Sequence, residues 1–334
     1  MLKVSVLDQS PASEGREEAQ AIRDTLELAQ HCEALGYHRF WVSEHHSHPA
    51  IVGSAPEVLM AAIAARTQRI RIGSAGVMLP HYAPFKVAEQ FRVLEALAPG
   101  RIDLGIGRAP GSDHRTARVL NPNLRSSDEF PLQAMELQAW AQGWELPVGH
   151  PGHGVKACPT GPTAPAMWML GSSDYGAQLA AHLGWPYAFA WFITEGQGAE
   201  HALNLYRDQF KATEQHHQPY TALCVWALVA DTEEEAWLQF ESRQRFRMDR
   251  RVGQLGPLLP PLAARRSYEA HEQAELQQLR GQALVGAAPE VAQRLQDLAV
   301  RLQVDELVVI TWTYEPQARL RSYELLAQTL GLSL

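Results

Sequence analysis

Eight short β-forming runs alternate with helix-length segments along this 334-residue chain, and three of them end on glycines or ionisable groups instead of turn residues. No G-x-G-x-x-G phosphate turn follows the first run. These observations predict an α/β protein folded as a (β/α)8 TIM barrel with insertions after strands 4 and 7, in one domain spanning residues 1–334. A doubly wound open sheet is the competing architecture. Its fingerprint belongs after the first strand, whereas the nearest candidate here, Gly105-x-Gly107, follows strand 4 and runs into Arg108-Ala109-Pro110.

Strand 1 is expected from Lys3 to Asp8, followed by a helix from Glu17 to Leu35 with Ala21, Leu28, Cys32 and Leu35 on one face and Gly36 as its stop. Strand 2 covers Phe40 to Ser43, and its helix Ala55 to Arg66. Strand 3 covers Ile70 to Val77; its helix, Pro84 to Leu97, opens on a proline and closes at Pro99-Gly100. Strand 4 is Ile102 to Gly107, with a helix from Glu129 to Gly143. The Gly- and Pro-rich stretch 145–165 reads as an insertion in hairpin form. Strands 5, 6 and 7 are Met167 to Gly171, Tyr187 to Phe192 and Ala222 to Val229, with helices Tyr175 to Leu183, Gly198 to His216 and Thr232 to Phe246. Residues 248–285 read as a long irregular insertion placed to act as a lid, and Pro289 to Leu302 as an extra helix. Strand 8, Glu306 to Thr311, and a helix from Gln317 to Leu330 complete the set.

The balance of 29 Lys+Arg against 37 Asp+Glu gives a formal net charge of −8, and no basic run or aromatic-basic stripe suits nucleic acid or an anionic membrane. Small molecules and a second copy of the chain, as in a homodimer, are the expected partners. The start, Met1 to Asp8, reads as a strand and not as a signal peptide, and no apolar run approaches membrane-spanning length, so a soluble cytoplasmic protein is expected. Cys32, Cys158 and Cys224 are scattered without C-x-x-C spacing, which indicates neither a disulfide framework nor a thiolate metal site.

Candidate chemistry gathers at strand ends. Strand 2 delivers Glu44, His45 and His46. An imidazole exchanges protons near neutrality, and Glu44 beside His45 is placed to favour its charged form. The alternative is a histidine that only ties loops together. His46, next along the strand, is expected to face the other way and act as support. A metal reading of His45, His46 and His48 with Asp8 and His81 is weakened because His46-x-His48 lies beyond the strand, where the two rings need not share a face. Ala75-Gly76 offers bare backbone against which a planar ring can lie, although a tightly packed strand also favours small residues. Gly171-Ser172-Ser173, between a strand and a helix, suits an anion through free N–H groups, hydroxyls and the helix dipole, and Arg108 adds a fixed charge. Either half alone reads equally as a helix cap or a surface cation. Arg125 is a third cation nearby, and Trp191 is either a core tryptophan or a wall of the pocket.

Taken in order, Glu44-His45-His46, Gly73-Ser74-Ala75-Gly76-Val77-Met78-Leu79-Pro80 with Pro84, Gly100-Arg101-Ile102-Asp103-Leu104-Gly105-Ile106-Gly107-Arg108, and Val285-Gly286 with Pro289-Glu290 and Asp305-Glu306-Leu307 resemble the bacterial luciferase-like flavin monooxygenases over the whole chain. The resemblance is to single-chain members. Luciferase catalytic subunits carry cysteine after Ile106, and Gly107 stands there instead, which leaves light emission unsupported. The resemblance implies an FMN-dependent two-component monooxygenase that takes reduced FMN from a separate NAD(P)H-flavin reductase and uses O2 on an aldehyde, ketone or related small organic substrate. F420-using relatives share the fold. It further implies a catalytic His45, flavin contacts from Glu44 and Trp191, a cis Ala75-Gly76 peptide under the flavin ring, and Arg108 with Gly171, Ser172 and Ser173 on the phosphate. A non-catalytic flavin-binding protein and a metal-dependent barrel hydrolase are the alternative classes.

Overall fold

The computed structural model describes residues 2–109, 111–123 and 128–333. Eight parallel strands close on themselves: β1 (Lys3–Asp8), β2 (Arg39–Val42), β3 (Arg71–Ser74), β5 (Ile102–Gly107), β6 (Ala166–Gly171), β7 (Tyr187–Phe189), β8 (Thr221–Ala230) and β10 (Glu306–Ile310), with β10 pairing both β8 and β1. This is the expected (β/α)8 barrel. The two-residue β4 (Val77–Met78) continues β3 along β5, and β9 (Leu284–Ala287) lies parallel to the second half of β8, outside the ring.

Alternation along each strand sorts the core into two layers. Outward-facing Val4, Val6, Phe40, Val42, Leu223, Val225, Leu307 and Val309 meet the helices. Inward-facing Leu7, Trp41, Trp168, Ala188, Cys224, Trp226, Val308 and Ile310 fill the barrel. β8 is buried along its full length because both of its faces are covered.

The barrel floor is ionic. Arg39, first residue of β2, places Nη1 2.7 Å from Asp103 and Nε 2.7 Å from Glu306, and its guanidinium lies 4.8 Å over Trp168. Arg71 pairs with Asp103 at 2.6 Å, the Trp41 indole donates to Asp103 at 3.0 Å, Tyr220 donates to Glu306 at 2.8 Å, and the Ser5 hydroxyl also donates to Glu306. Burial opposes ionisation of Asp103, yet Arg39 and Arg71 hold its carboxyl below the ordinary value.

Several boundaries differ from the sequence reading for identifiable reasons. Strand 3 does not run through to Val77; it stops at Ser74 and resumes at Val77, with a cis Ala75–Gly76 peptide between. Strand 6 ends at Phe189, and its last apolar residues form the one-turn helix α7 (Trp191–Thr194), since an apolar run by itself does not separate strand from turn. A short helix, α4 (His114–Leu120), went unforeseen; Asp113 caps it by accepting from Arg115 N and Thr116 N, but only Ala117 is buried, so no apolar stripe announces it. Residues 145–165 are turns around a cis Cys158–Pro159 bond and contain no hairpin. Residues 248–285 are not irregular throughout: α9 (Glu233–Arg251) overruns the expected end, and α10 (Pro261–Ala264), α11 (Ala270–Gln282) and β9 follow. Helix α11 buries none of its residues, which hides it from periodicity; its signal is the Glu269/Glu272 capping box. No helix among the described residues is long and apolar enough to cross a membrane.

Candidate active site

The C-terminal ends of the strands form one rim, where barrels of this kind carry their chemistry. At the end of β2 the chain is pinned: His45 N donates to Gly53 O at 3.0 Å and His46 N to Gly111 O at 3.4 Å. Glu44, almost fully buried, accepts from His46 Nε2 at 2.7 Å, from the Tyr82 hydroxyl at 2.6 Å and from Met78 N at 3.0 Å. Its carboxylate therefore serves His46 and not His45, which corrects the expectation that it charges the His45 ring. Tyr82, absent from the sequence reading, holds its proton more tightly than usual through burial and the adjacent Glu44.

His45 sits in a different environment. Its Nδ1 lies 3.2 Å from the Ser43 hydroxyl, and its ring packs edge-on to His48, with centroids 5.9 Å apart. Burial, followed by His48, Arg250 and His46, pushes it down to about 4. It is a neutral imidazole at pH 7. The set proposed for a metal is otherwise engaged: His46 is bonded to Glu44, His48 Nδ1 accepts from Ala50 N at 3.1 Å, and Asp8 pairs with Arg319 at 2.8 Å. No cluster of three or more His, Cys, Asp and Glu placed for a metal ion occurs among the described residues.

The backbone strip beside His45 is bare by necessity. A Cβ on Gly76 would lie 2.8 Å from the Gly105 carbonyl, and one on Gly105 would lie 2.2 Å from the Ser74 carbonyl. Ser74 Oγ ties the two segments by donating to Gly105 O at 2.8 Å. A Cβ on Gly107, in contrast, would meet nothing within 4 Å, so the end of β5 faces open space. Ala75, Leu170 and Phe192 stand half-buried at the edge of the interior layer and give this rim an apolar wall.

Arg108 and the Gly171-Ser172-Ser173 loop come together. The Arg108 guanidinium stacks 3.9 Å from the centre of Tyr175, second residue of the ten-residue α6 (Asp174–Leu183), which starts directly after that loop. Ser173 is the N-cap in extended conformation, and its hydroxyl makes no capping bond. Tyr187 donates to the Ser173 carbonyl at 3.3 Å and steadies the loop. A cation, two hydroxyls and a helix start without a side-chain cap form a donor set for an oxyanion.

Trp191 does not join this group. It packs with the outward-facing layer beneath Gly196, where an added Cβ would strike the indole at 2.3 Å, and Phe192 takes the inward position. The alternation of β7, with Phe189 outward and Ala188 inward, carries on through this pair although the backbone has turned into α7. Arg125 lies outside the described residues.

Comparison with known proteins shows the family. Residues 2–306 match the family model described as luciferase-like monooxygenase. A luciferase-like monooxygenase of Escherichia coli is 39% identical over 327 residues, covering 96% of this chain and 95% of the relative. An N-acetyl-S-alkylcysteine monooxygenase of Bacillus subtilis is 35% identical over 342 residues, covering 99% and 98%. The crystal structure of apo-MsnO8 superposes with a TM-score of 0.90 at 35% identity, covering 100% of this chain and 99% of the other. A barrel with its polar groups on one rim, matched along nearly its full length, makes this chain a member of the luciferase-like monooxygenase family.

Proposed function

We propose that the chain is the oxygenating component of a two-component monooxygenase, taking reduced FMN from a separate NAD(P)H-flavin reductase and acting with O2 on a small organic substrate such as an aldehyde, a ketone or a related compound. The observation that carries this reading is the joining of Arg108 to the Gly171–Ser173 loop through Tyr175, on the same rim as His45 and the Ala75–Gly76 strip. The residues fit the cofactor. The loop and Arg108 supply donors for its phosphate, the strip from Ala75 to Gly76 leaves backbone clear for a flat ring, and Gly107 leaves room beside it.

Reduced flavin, when bound, supplies the electrons that activate O2. The chain's part is to orient, to exclude water and to manage protons. Ala75, Leu170 and Phe192 keep the inner side of the site apolar. In this reading the Ser43 hydroxyl donates to His45 Nδ1, so that Nε2 carries the proton and is a hydrogen-bond donor to the reacting oxygen. Glu44 acts by fixing His46, Tyr82 and the Met78 amide around the flavin strip, in place of direct cofactor contact. Residues 248–285 are proposed as the lid: Leu258, fully buried, is bonded through its backbone to Ala12 and Glu14, which anchors one end beside the rim. Exposed Val58, Val93 and Leu97 on α2 (Pro56–Ala64) and α3 (Pro84–Leu97) support the homodimer.

The test is an anaerobic titration with FMN, reduced FMN and F420, followed by admission of O2 in the presence of aldehydes, ketones and thioethers. Tight binding of reduced FMN and substrate-dependent oxygen incorporation are expected. Preference for F420, or flavin binding without product across the panel, would replace this reading with a deazaflavin enzyme or a flavin carrier.

A further inference from the structure

Helix α9 crosses the rim between β7 and β10, and it carries Arg243, Phe246, Arg247 and Arg250 at spacings that put them on one side. Arg247 is committed, with Nη2 2.6 Å from Glu195 and Nη1 bonded to the Phe192 carbonyl at 3.3 Å. Arg243 is not. Only 5% exposed, it has no hydrogen bond or ion pair among the described residues, and its guanidinium lies 4.2 Å from the centre of Trp226 and 5.7 Å from that of Trp312. Both indoles are themselves buried, and the Nε1–H of each lacks an acceptor. An unpaired guanidinium over two indole rings, and two buried indole N–H groups without an acceptor, thus share one patch, which is an expensive arrangement unless a ligand completes it.

The patch belongs to the mouth of the barrel. Trp226 is in register with Ile310 at the end of β10, and Trp312 lies just beyond it. An unbroken series of ring contacts runs from His45 through His48 and Phe246 to Trp312, with centroid separations of 5.9, 6.3 and 5.1 Å. It is also separate from the phosphate donors, which stand at the ends of β5 and β6 with β7 intervening.

We propose that Arg243, held over the rings of Trp226 and Trp312, anchors a carboxylate on the organic substrate and so selects acids over neutral molecules. The proposal rests on the monooxygenase reading and narrows its substrate class. Burial, then Arg247 and more weakly Arg250, work against the charge on Arg243, with Glu195 opposing, and an incoming carboxylate relieves that situation. Guanidinium and carboxylate make a bidentate pair, and the aromatic faces hold the fork in position.

The test is calorimetric titration of the FMN-saturated protein with two acid and ester pairs: octanoate with methyl octanoate, and N-acetylmethionine with its methyl ester. The acids are expected to bind at least about 10-fold more tightly than their esters, the usual scale of a charged hydrogen bond. Arg243→Met should lose about 10- to 100-fold for the acids, leave the esters and FMN unchanged, and be partly restored by Arg243→Lys. Trp226→Phe, which keeps the ring and removes one N–H, should weaken the acids by a smaller factor. Equal binding of acid and ester, failure of both acids to bind, or a loss of FMN affinity in Arg243→Met as large as the loss for acids would overturn the proposal. If neither FMN nor reduced FMN binds, the monooxygenase reading falls, and the acid and ester comparison on the free protein still decides the anchor.

Discussion

Replacing His45 with glutamine tests the site most directly, because the environment of this ring sets both its protonation and its reach. Burial together with His48, Arg250 and His46 pushes it from an ordinary 6.5 down to about 4. At pH 7 about 0.1% of the rings are then charged, and the shift corresponds to about 3 kcal/mol favouring the neutral form. Substrate oxygenation should therefore stay level from pH 8 down to about 5.5 and fall only as the ring begins to protonate. His45→Gln keeps an amide of similar reach but cannot exchange the proton. It should lower oxygenation by about 10²- to 10⁴-fold while retaining the fold and most of the flavin affinity. The assay is a single-turnover reaction of reduced FMN and O2 with substrate, following product and hydrogen peroxide together; the variant should shift the yield toward peroxide. Stability carries the same signature. The unfolded chain binds a proton at His45 below about pH 6.5 and the folded chain only below about 4, so the folded state loses stability as pH falls through that window, and His45→Gln should flatten the loss. An inflection in the wild-type rate near pH 6.5 that disappears in His45→Gln would show an ordinary, charge-carrying imidazole and refute the reasoning. Unchanged product yield in the variant would remove His45 from the mechanism altogether.

Arg108→Ala should weaken FMN about 10- to 100-fold and leave riboflavin nearly unaffected, since a charged hydrogen bond contributes roughly 1.5–3 kcal/mol and only FMN bears the phosphate; equal losses in a fluorescence titration would place the phosphate elsewhere. Arg39→Met removes the cation that two carboxylates share on the barrel floor, and urea unfolding should show a loss of about 3–5 kcal/mol. A loss below about 1 kcal/mol there would mean that Arg71, Tyr220 and Ser5 hold Asp103 and Glu306 unaided. Limited trypsin digestion should cut after Arg265, whose side chain is 55% exposed at the end of α10, ahead of Arg266, which is held by Glu272 and stacked on Tyr268. Reduced flavin with substrate should slow the cut if residues 248–285 close over the rim, and an unchanged rate would count against a lid.

The eight-fold alternation was legible in the sequence because parallel strands buried on both faces read as apolar runs, and their helices as stripes with glycine or proline stops. The strand-end positions of Glu44, His45, Ala75, Gly76, Arg108 and Gly171 to Ser173 followed from the same pattern. Direction was harder to read. Trp191 faces the helices and Phe192 the interior, a choice set by the phase of the short β7, and α11 stayed hidden because none of its side chains is buried.

What the sequence by itself determined is the set of groups on the rim, since strand ends in a barrel of this kind have only one face on which to deliver them. Which groups meet was decided by tertiary structure alone. Glu44 is adjacent to His45 in the chain, yet its carboxylate is captured by His46, Tyr82 and the Met78 amide, and His45 is left neutral in a desolvated corner. Arg243 differs from the more exposed arginines around it only because α9 turns it onto Trp226 of β8 and Trp312 just beyond β10, which are far apart in sequence. Hydrogen-bond partners and desolvation depend on distances across the barrel, and those are fixed by how the strands close, a property that no local stretch of sequence contains.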